Sequence, residues 1–212
     1  MHIAIAMFDR FTALDAIGPY EVLNRLPDAT VTFVAEEAGE IRSDTRMLGI
    51  IADATFDDVP EPDIILVPGG GGTRALLDPD AAIVHWVKHA HTTSTWTTSV
   101  CTGSLVLAAA GLLDGLDATT HWAASDLLEG LGAHYTAQRV VEQGKIVTAA
   151  GVSSGIDMAL ALAAHIAGDD YARAIQLGIE YDPQPPFDAG SPAKAGPELV
   201  ALVRAIAVEP TT

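Results

Sequence analysis

Short apolar runs alternate along the chain with longer stretches in which apolar residues recur every three or four positions. Ile3–Phe8 is compact, apolar and too short for a helix, so it predicts a buried strand. Asp15–Leu26 follows the helical period, with Val22, Leu23 and Leu26 on one face and Pro19 read as lying in the first turn, where a missing N–H is tolerated. Thr30–Ala35 is rich in β-branched residues and predicts the next strand. Residues 36–59 mix turns with short apolar pieces and read as a hairpin beside the main sheet, and Asp63–Val67 is a third buried strand, broken at once by Pro68 and four glycines. Ala81–Ala90 is helical with Ile83, Val84 and Val87 inward, Ser94–Val100 is a strand, and Cys101 opens a helix to about Ala110.

The second half repeats this alternation more loosely. Trp122–Leu131 reads as a helix, Arg139–Glu142 and Lys145–Ala149 flank Gln143-Gly144 as a β-hairpin, and Gly155–Ala167 is a largely buried helix followed by another from about Asp169. Residues 182–192 are too rich in proline for regular structure, and a last helix covers Pro197–Val208. Strands alternating with helices predict an α/β fold: a three-layer sandwich with a mostly parallel central sheet, flavodoxin-like. One domain is expected over residues 1–212, with a Pro-rich loop at 182–192 and a C-terminal helix.

Composition narrows the partners. The 212 residues are 49% hydrophobic and 18% charged, enough for a core and against intrinsic disorder. A net charge of −17 repels phosphate backbones, so no nucleic-acid partner is expected. The longest apolar run, Leu105–Leu113, is far short of the ~20 residues that span a bilayer, and the first eight residues lack a basic leader, so a cytoplasmic protein without a membrane partner is expected. A single cysteine, Cys101, excludes an internal disulfide framework and any all-cysteine metal cage.

In open parallel sheets, ligands bind beyond the carboxyl ends of strands. Three such ends carry unusual residues: Leu14-Asp15-Ala16-Ile17-Gly18-Pro19, Val67-Pro68 with Gly69–Gly72, and Ser99-Val100-Cys101-Thr102-Gly103-Ser104. Cys101, on a strand–helix junction with Gly103 two residues on, partly matches a nucleophile elbow, although Ser99 stands where the full motif has glycine. At a helix N-terminus the thiol pKa is expected to fall; the competing reading is an inert buried cysteine. The glycines either supply backbone N–H groups to an anion or simply turn the chain, and they fit neither a dinucleotide fingerprint nor a Walker loop. Asp15 either caps a helix or does acid–base chemistry, and Glu21 reads as a helix-surface carboxylate. His85 and His89 share a helix face but read as solvent-facing, so no metal site is expected, while His121 sits at a loop–helix junction that can enter a pocket.

Taken together, Leu14-Asp15-x-x-Gly18-Pro19-x-Glu21-Val22-Leu23, Val67-Pro68-Gly69-Gly70-Gly71, Cys101-Thr102-Gly103-Ser104, Ala149–Asp157 and Tyr181–Phe187 resemble the ThiJ/PfpI superfamily of the class I glutamine-amidotransferase-like fold, in this order and across nearly the whole chain. The peptidase-like branch places His after the nucleophile, where this chain has Thr102; the deglycase-type branch typically offers Glu as the acid, where this chain has Asp15; a regulatory branch adds a C-terminal helix-turn-helix, for which no room is expected before Thr212. The closest resemblance is to the hydratase branch. It implies Cys101 as nucleophile, Asp15 as general acid/base, Thr102 as a hydroxyl bonding the intermediate or water, and Gly70 and Gly71 as N–H donors. It further implies addition of water to an isonitrile through a thioimidate on Cys101, a small-molecule substrate, no metal or organic cofactor, and a homodimer. Glyoxalase- or deglycase-type chemistry on small carbonyls, and a redox-sensing or ligand-binding role for the same cysteine, are the competing expectations.

Overall fold

The computed structural model describes residues 1–208. The chain packs as two compact units, Met1–Ile179 and a second from Glu180 onward, so the boundary falls just before the Pro-rich stretch that carries no regular structure until Pro192. The second unit holds two helices, which take the last numbers in the series below.

The first unit contains β1 (His2–Ala6), α1 (Ala13–Leu23), β2 (Thr30–Ala35), β3 (Gly39–Arg42), β4 (Gly49–Ala52), β5 (Ala54–Thr55), β6 (Ile64–Val67), α2 (Ala82–Thr93), β7 (Trp96–Val100) and α3 (Gly103–Ala109). It continues with β8 (Asp117–Ala118), α4 (Ser125–Gly130), β9 (His134–Tyr135), β10 (Val140–Gln143), β11 (Ile146–Ala149), α5 (Ser154–Ala167) and α6 (Asp169–Gly178). In the second unit lie α7 (Pro192–Ala195) and α8 (Pro197–Val208).

Seven strands form one sheet in the order β10-β11-β7-β6-β1-β2-β5, with every neighbouring pair parallel except β10 with β11. The central strands are buried on both faces, Ile64–Val67 being wholly buried, because helices cover both sides. α1 packs on α5 and α5 on α6; α2 packs on α3 and α3 on α4. This is the flavodoxin-like sandwich the alternation predicts.

β2 lies on one side of β1 and β6 on the other, so the chain reverses its direction of travel across the sheet at β1, and β7 follows β6. Such a switch point opens a crevice beyond the carboxyl ends of the strands. The three unusual strand ends are therefore neighbours.

Two local expectations change. α1 begins at Ala13, so Pro19 lies inside the helix, where no N–H answers the Asp15 carbonyl. Close packing offsets that loss: Pro19 is buried, and a Cβ on Gly155 of α5 would come 3.0 Å from its ring. Residues 36–59 also divide, with β3 and β4 pairing antiparallel apart from the main sheet and β5 joining the edge of that sheet.

Candidate active site

Cys101 directly follows β7 in a left-handed conformation, φ +56°, which a non-glycine residue holds only when its surroundings fix it. Its N–H donates to the carbonyls of Ala149 (3.1 Å) and Ala150 (2.8 Å) at the end of β11. Its carbonyl accepts from Ser104 Oγ (3.2 Å) and Thr120 Oγ1 (3.0 Å), both fully buried hydroxyls. The elbow is tight because residue 103 is glycine: a Cβ there would collide with the carbonyl oxygen of Val67 at the end of β6. The strand–Cys–x–Gly–helix reading is thus realised in the backbone.

The thiol itself departs from expectation. Cys101 is only 6% exposed, and burial, reinforced by the charge of Asp15, pushes its pKa up to about 12. The N–H groups of Thr102 and Val152 pull the other way without prevailing. The sequence reading expects a helix end to lower this pKa, but α3 is only seven residues long and desolvation outweighs its N-terminus.

Asp15 meets the thiol from α1. It is fully buried, and its carboxyl pKa is raised to about 7, chiefly by burial; Gly69 N–H and the Cys101 thiol oppose the rise as donors, and nearby Asp44 adds to it. Oδ2 accepts from Gly69 N–H at 2.9 Å, whereas buried Oδ1 has no well-aligned hydrogen-bond partner. The capping alternative fails, because Thr12 occupies the N-cap and its hydroxyl donates to Asp44 Oδ2 at 2.9 Å. A carboxyl near neutrality beside a thiol held above it is a pair able to pass one proton between oxygen and sulfur.

The glycine run works by close approach. A Cβ on Gly69 would lie 2.5 Å from Thr102 N, and one on Gly70 would collide with the Arg10 carbonyl, so only glycine lets the ends of β1, β6 and β7 meet. The expectation that Gly70 offers its N–H to an oxyanion needs correction, since that N–H already donates to Thr102 Oγ1 at 3.0 Å. Gly71 is exposed beside the Arg10 guanidinium. His121 lies half-buried over Gly151, its pKa lowered by burial, with Nδ1 accepting from Ala123 N–H at 3.3 Å and its ring tilted on Trp122. It is near the elbow through its neighbour Thr120.

The histidines of α2 are elsewhere. His85 and His89 are exposed, and His91 bonds Thr97 Oγ1 through Nδ1 at 2.8 Å. No group of three or more His, Cys, Asp or Glu able to hold a metal occurs among the described residues. No helix among them is long and apolar enough to cross a membrane. The sequence reading misses Thr73, Ser104, Thr120 and Val152 as parts of the site; Ser104 and Val152 stand inside quoted motifs, but nothing in their spacing signals a contact with Cys101.

The fold and site together define a class: α/β sandwiches built around a strained cysteine at the switch point with a buried carboxyl beside it. The chain belongs to the DJ-1/PfpI family, whose sequence model matches residues 1–165. It is 44% identical over 204 residues to the isonitrile hydratase of Pseudomonas putida, covering 96% of this chain and 89% of that protein. A crystal structure of a ThiJ/PfpI family protein from Pseudomonas syringae superposes with a TM-score of 0.92 at 37% identity, covering 97% of this chain and 86% of that one. The HTH-type transcriptional regulator CdhR of Pseudomonas aeruginosa is 29% identical over 163 residues, which make up 75% of this chain but 48% of the regulator.

Proposed function

We propose that this protein is an isonitrile hydratase, converting R–N≡C and water into the N-substituted formamide R–NH–CHO. The observation that carries the reading is the coupled Cys101–Asp15 pair at the strained elbow, in a chain 44% identical to an isonitrile hydratase over nearly its full length.

Above about pH 7 the pair holds one proton, on sulfur. Asp15 takes that proton as sulfur attacks the isonitrile carbon and then delivers it to the same carbon, giving the thioimidate R–N=CH–S–Cys101. Asp15, again a carboxylate, removes a proton from water as the oxygen adds to the carbon, and passes it to nitrogen. The tetrahedral adduct R–NH–CH(OH)–S–Cys101 then breaks its C–S bond, the hydroxyl proton returns to the pair, and the formamide leaves. The N–H groups of Thr102 and Val152 stabilise sulfur as it departs. Thr102 bonds the intermediate through its hydroxyl, and His121 forms a wall of the site. Atoms balance in every step without a metal or organic cofactor.

The same proposal takes the substrate as a small molecule and the protein as a cytoplasmic homodimer without a nucleic-acid or membrane partner, in keeping with its net charge of −17. Purified protein given cyclohexyl or p-nitrophenyl isocyanide is expected to release the matching formamide, followed by mass spectrometry. Consumption of methylglyoxal with no formamide formed would replace this reading by carbonyl chemistry.

A further inference from the structure

We propose that Thr73 is a positioning residue that fixes the Thr102 hydroxyl as a hydrogen-bond donor towards the reacting groups; this rests on the hydratase reading. Thr73 opens the short 3-10 turn Thr73–Leu76 directly after the glycine run and is 1% exposed. Its Oγ1 lies 2.9 Å from Thr102 Oγ1, and Gly70 N–H reaches the same oxygen at 3.0 Å.

A threonine hydroxyl has one proton and two lone pairs. Gly70 N–H fills one lone pair of Thr102. Between the two hydroxyls the proton can run either way, and burial decides the direction. Thr102 is the hydrogen-bond partner of the Thr73 hydroxyl. Were Thr102 the donor, the Thr73 proton would be left in a buried place with no acceptor, the costlier arrangement. With Thr73 donating, both lone pairs of Thr102 are filled and its own proton points away from Gly70 and Thr73. Asp15 Oδ2 is close by: it and Thr102 Oγ1 would stand 3.0 and 2.5 Å from a Cβ on Gly69. Thr102 so held can donate to substrate or to Asp15 but has no lone pair with which to accept a proton from water. Activation of water therefore falls to Asp15 alone, and Thr73 enforces this division without touching the substrate.

The test is a double-mutant cycle on isonitrile turnover with Thr73→Val, Thr73→Ser, Thr102→Val and the Thr73→Val/Thr102→Val pair. Thr73→Val is expected to lower kcat about tenfold with KM within about twofold, the size of effect one hydrogen bond carries. Thr73→Ser restores most of kcat, and Thr73→Val lowers kcat no further once Thr102 is valine. Unchanged kcat in Thr73→Val, no rescue by serine, or the full loss persisting on top of Thr102→Val would each overturn the role. Should the valine variant fail to fold, the cycle with Thr73→Ala reads the same coupling. No formamide from the unaltered protein removes the hydratase reading and this role with it, whereas normal turnover with an indifferent Thr73 removes this role alone.

Discussion

Asp15 and Cys101 act on one another unequally: burial, reinforced by the carboxylate's charge, lifts the Cys101 thiol to about 12, whereas the thiol, as a donor, pulls down the Asp15 carboxyl that burial raises from 3.8 to about 7. The singly protonated pair therefore predominates between those two values. If that form performs the attack, kcat/KM rises with pH as a single proton is lost near 7 and stays level above it. Initial rates from pH 5 to 9 check this. Asp15→Asn is expected to abolish the acid limb and to lower turnover by at least ~10²-fold. A flat profile in the unaltered protein would remove Asp15 from the proton path.

Burial, with the Asp15 charge beside it, keeps the resting sulfur a thiol, so Cys101 is expected to react slowly with iodoacetamide at pH 7.5, at a rate that climbs with pH. Asp15→Asn takes away the charge and the acceptor that hold the proton on sulfur. Alkylation should accelerate in that variant although turnover collapses. Mass spectrometry of the singly labelled chain over time gives the alkylation rate, and a melting temperature no lower than that of the unaltered protein shows that the gain comes from removing the charge and not from opening the site.

What the residues revealed before folding, and what they did not, follows from the range of the interactions involved. β1 and β6 are short apolar runs and β7 a β-branched and aromatic one, each ended by polar or glycine residues, so their positions and the elbow after Val100 are local properties. The convergence of Asp15, Gly69 and Cys101 also follows, because a parallel sheet brings carboxyl ends together. The direction of the Cys101 pKa does not, because it depends on how deeply the thiol is covered and on a carboxyl from a distant helix. Pro19 was misplaced for a similar reason, its burial against Gly155 being settled by packing between α1 and α5. The partner of the Gly70 N–H is not legible because a glycine run carries no mark of where its amides point, and Thr73 and Thr120 carry no spacing signal at all.

Gly103 and Gly71 are expected to respond oppositely to a methyl group. At Gly103 a Cβ would overlap the backbone oxygen of Val67, which cannot rotate away, so Gly103→Ala forces α3 off β6. A loss of about 1–3 kcal/mol or more follows, lowering Tm by several degrees. At Gly71, exposed and with φ outside the left-handed region, the nearest atom to a Cβ is a guanidinium nitrogen of Arg10 at 3.6 Å. Gly71→Ala should stay within about 0.5 kcal/mol of the unaltered protein. Thermal melts of the two variants decide the matter.

The buried Asp15 carboxyl should also make stability depend on pH. Its pKa is raised on folding from 3.8 to about 7, so the unfolded chain releases this proton first. The favourable contribution is complete below about 3.8 and is lost as pH rises through about 7, where folding must keep an ionised carboxylate in a buried site. The shift corresponds to a loss on the order of a few kcal/mol between those limits. Asp15→Asn keeps an oxygen for Gly69 N–H and cannot ionise, so it should escape that loss. The variant is expected to melt at a higher temperature than the unaltered protein at pH 8.5 and to keep less than half of this advantage at pH 5. Denaturant or thermal unfolding at the two pH values checks the difference, and an equal offset at both would show that the carboxylate's burial is compensated by groups other than Gly69 and Cys101.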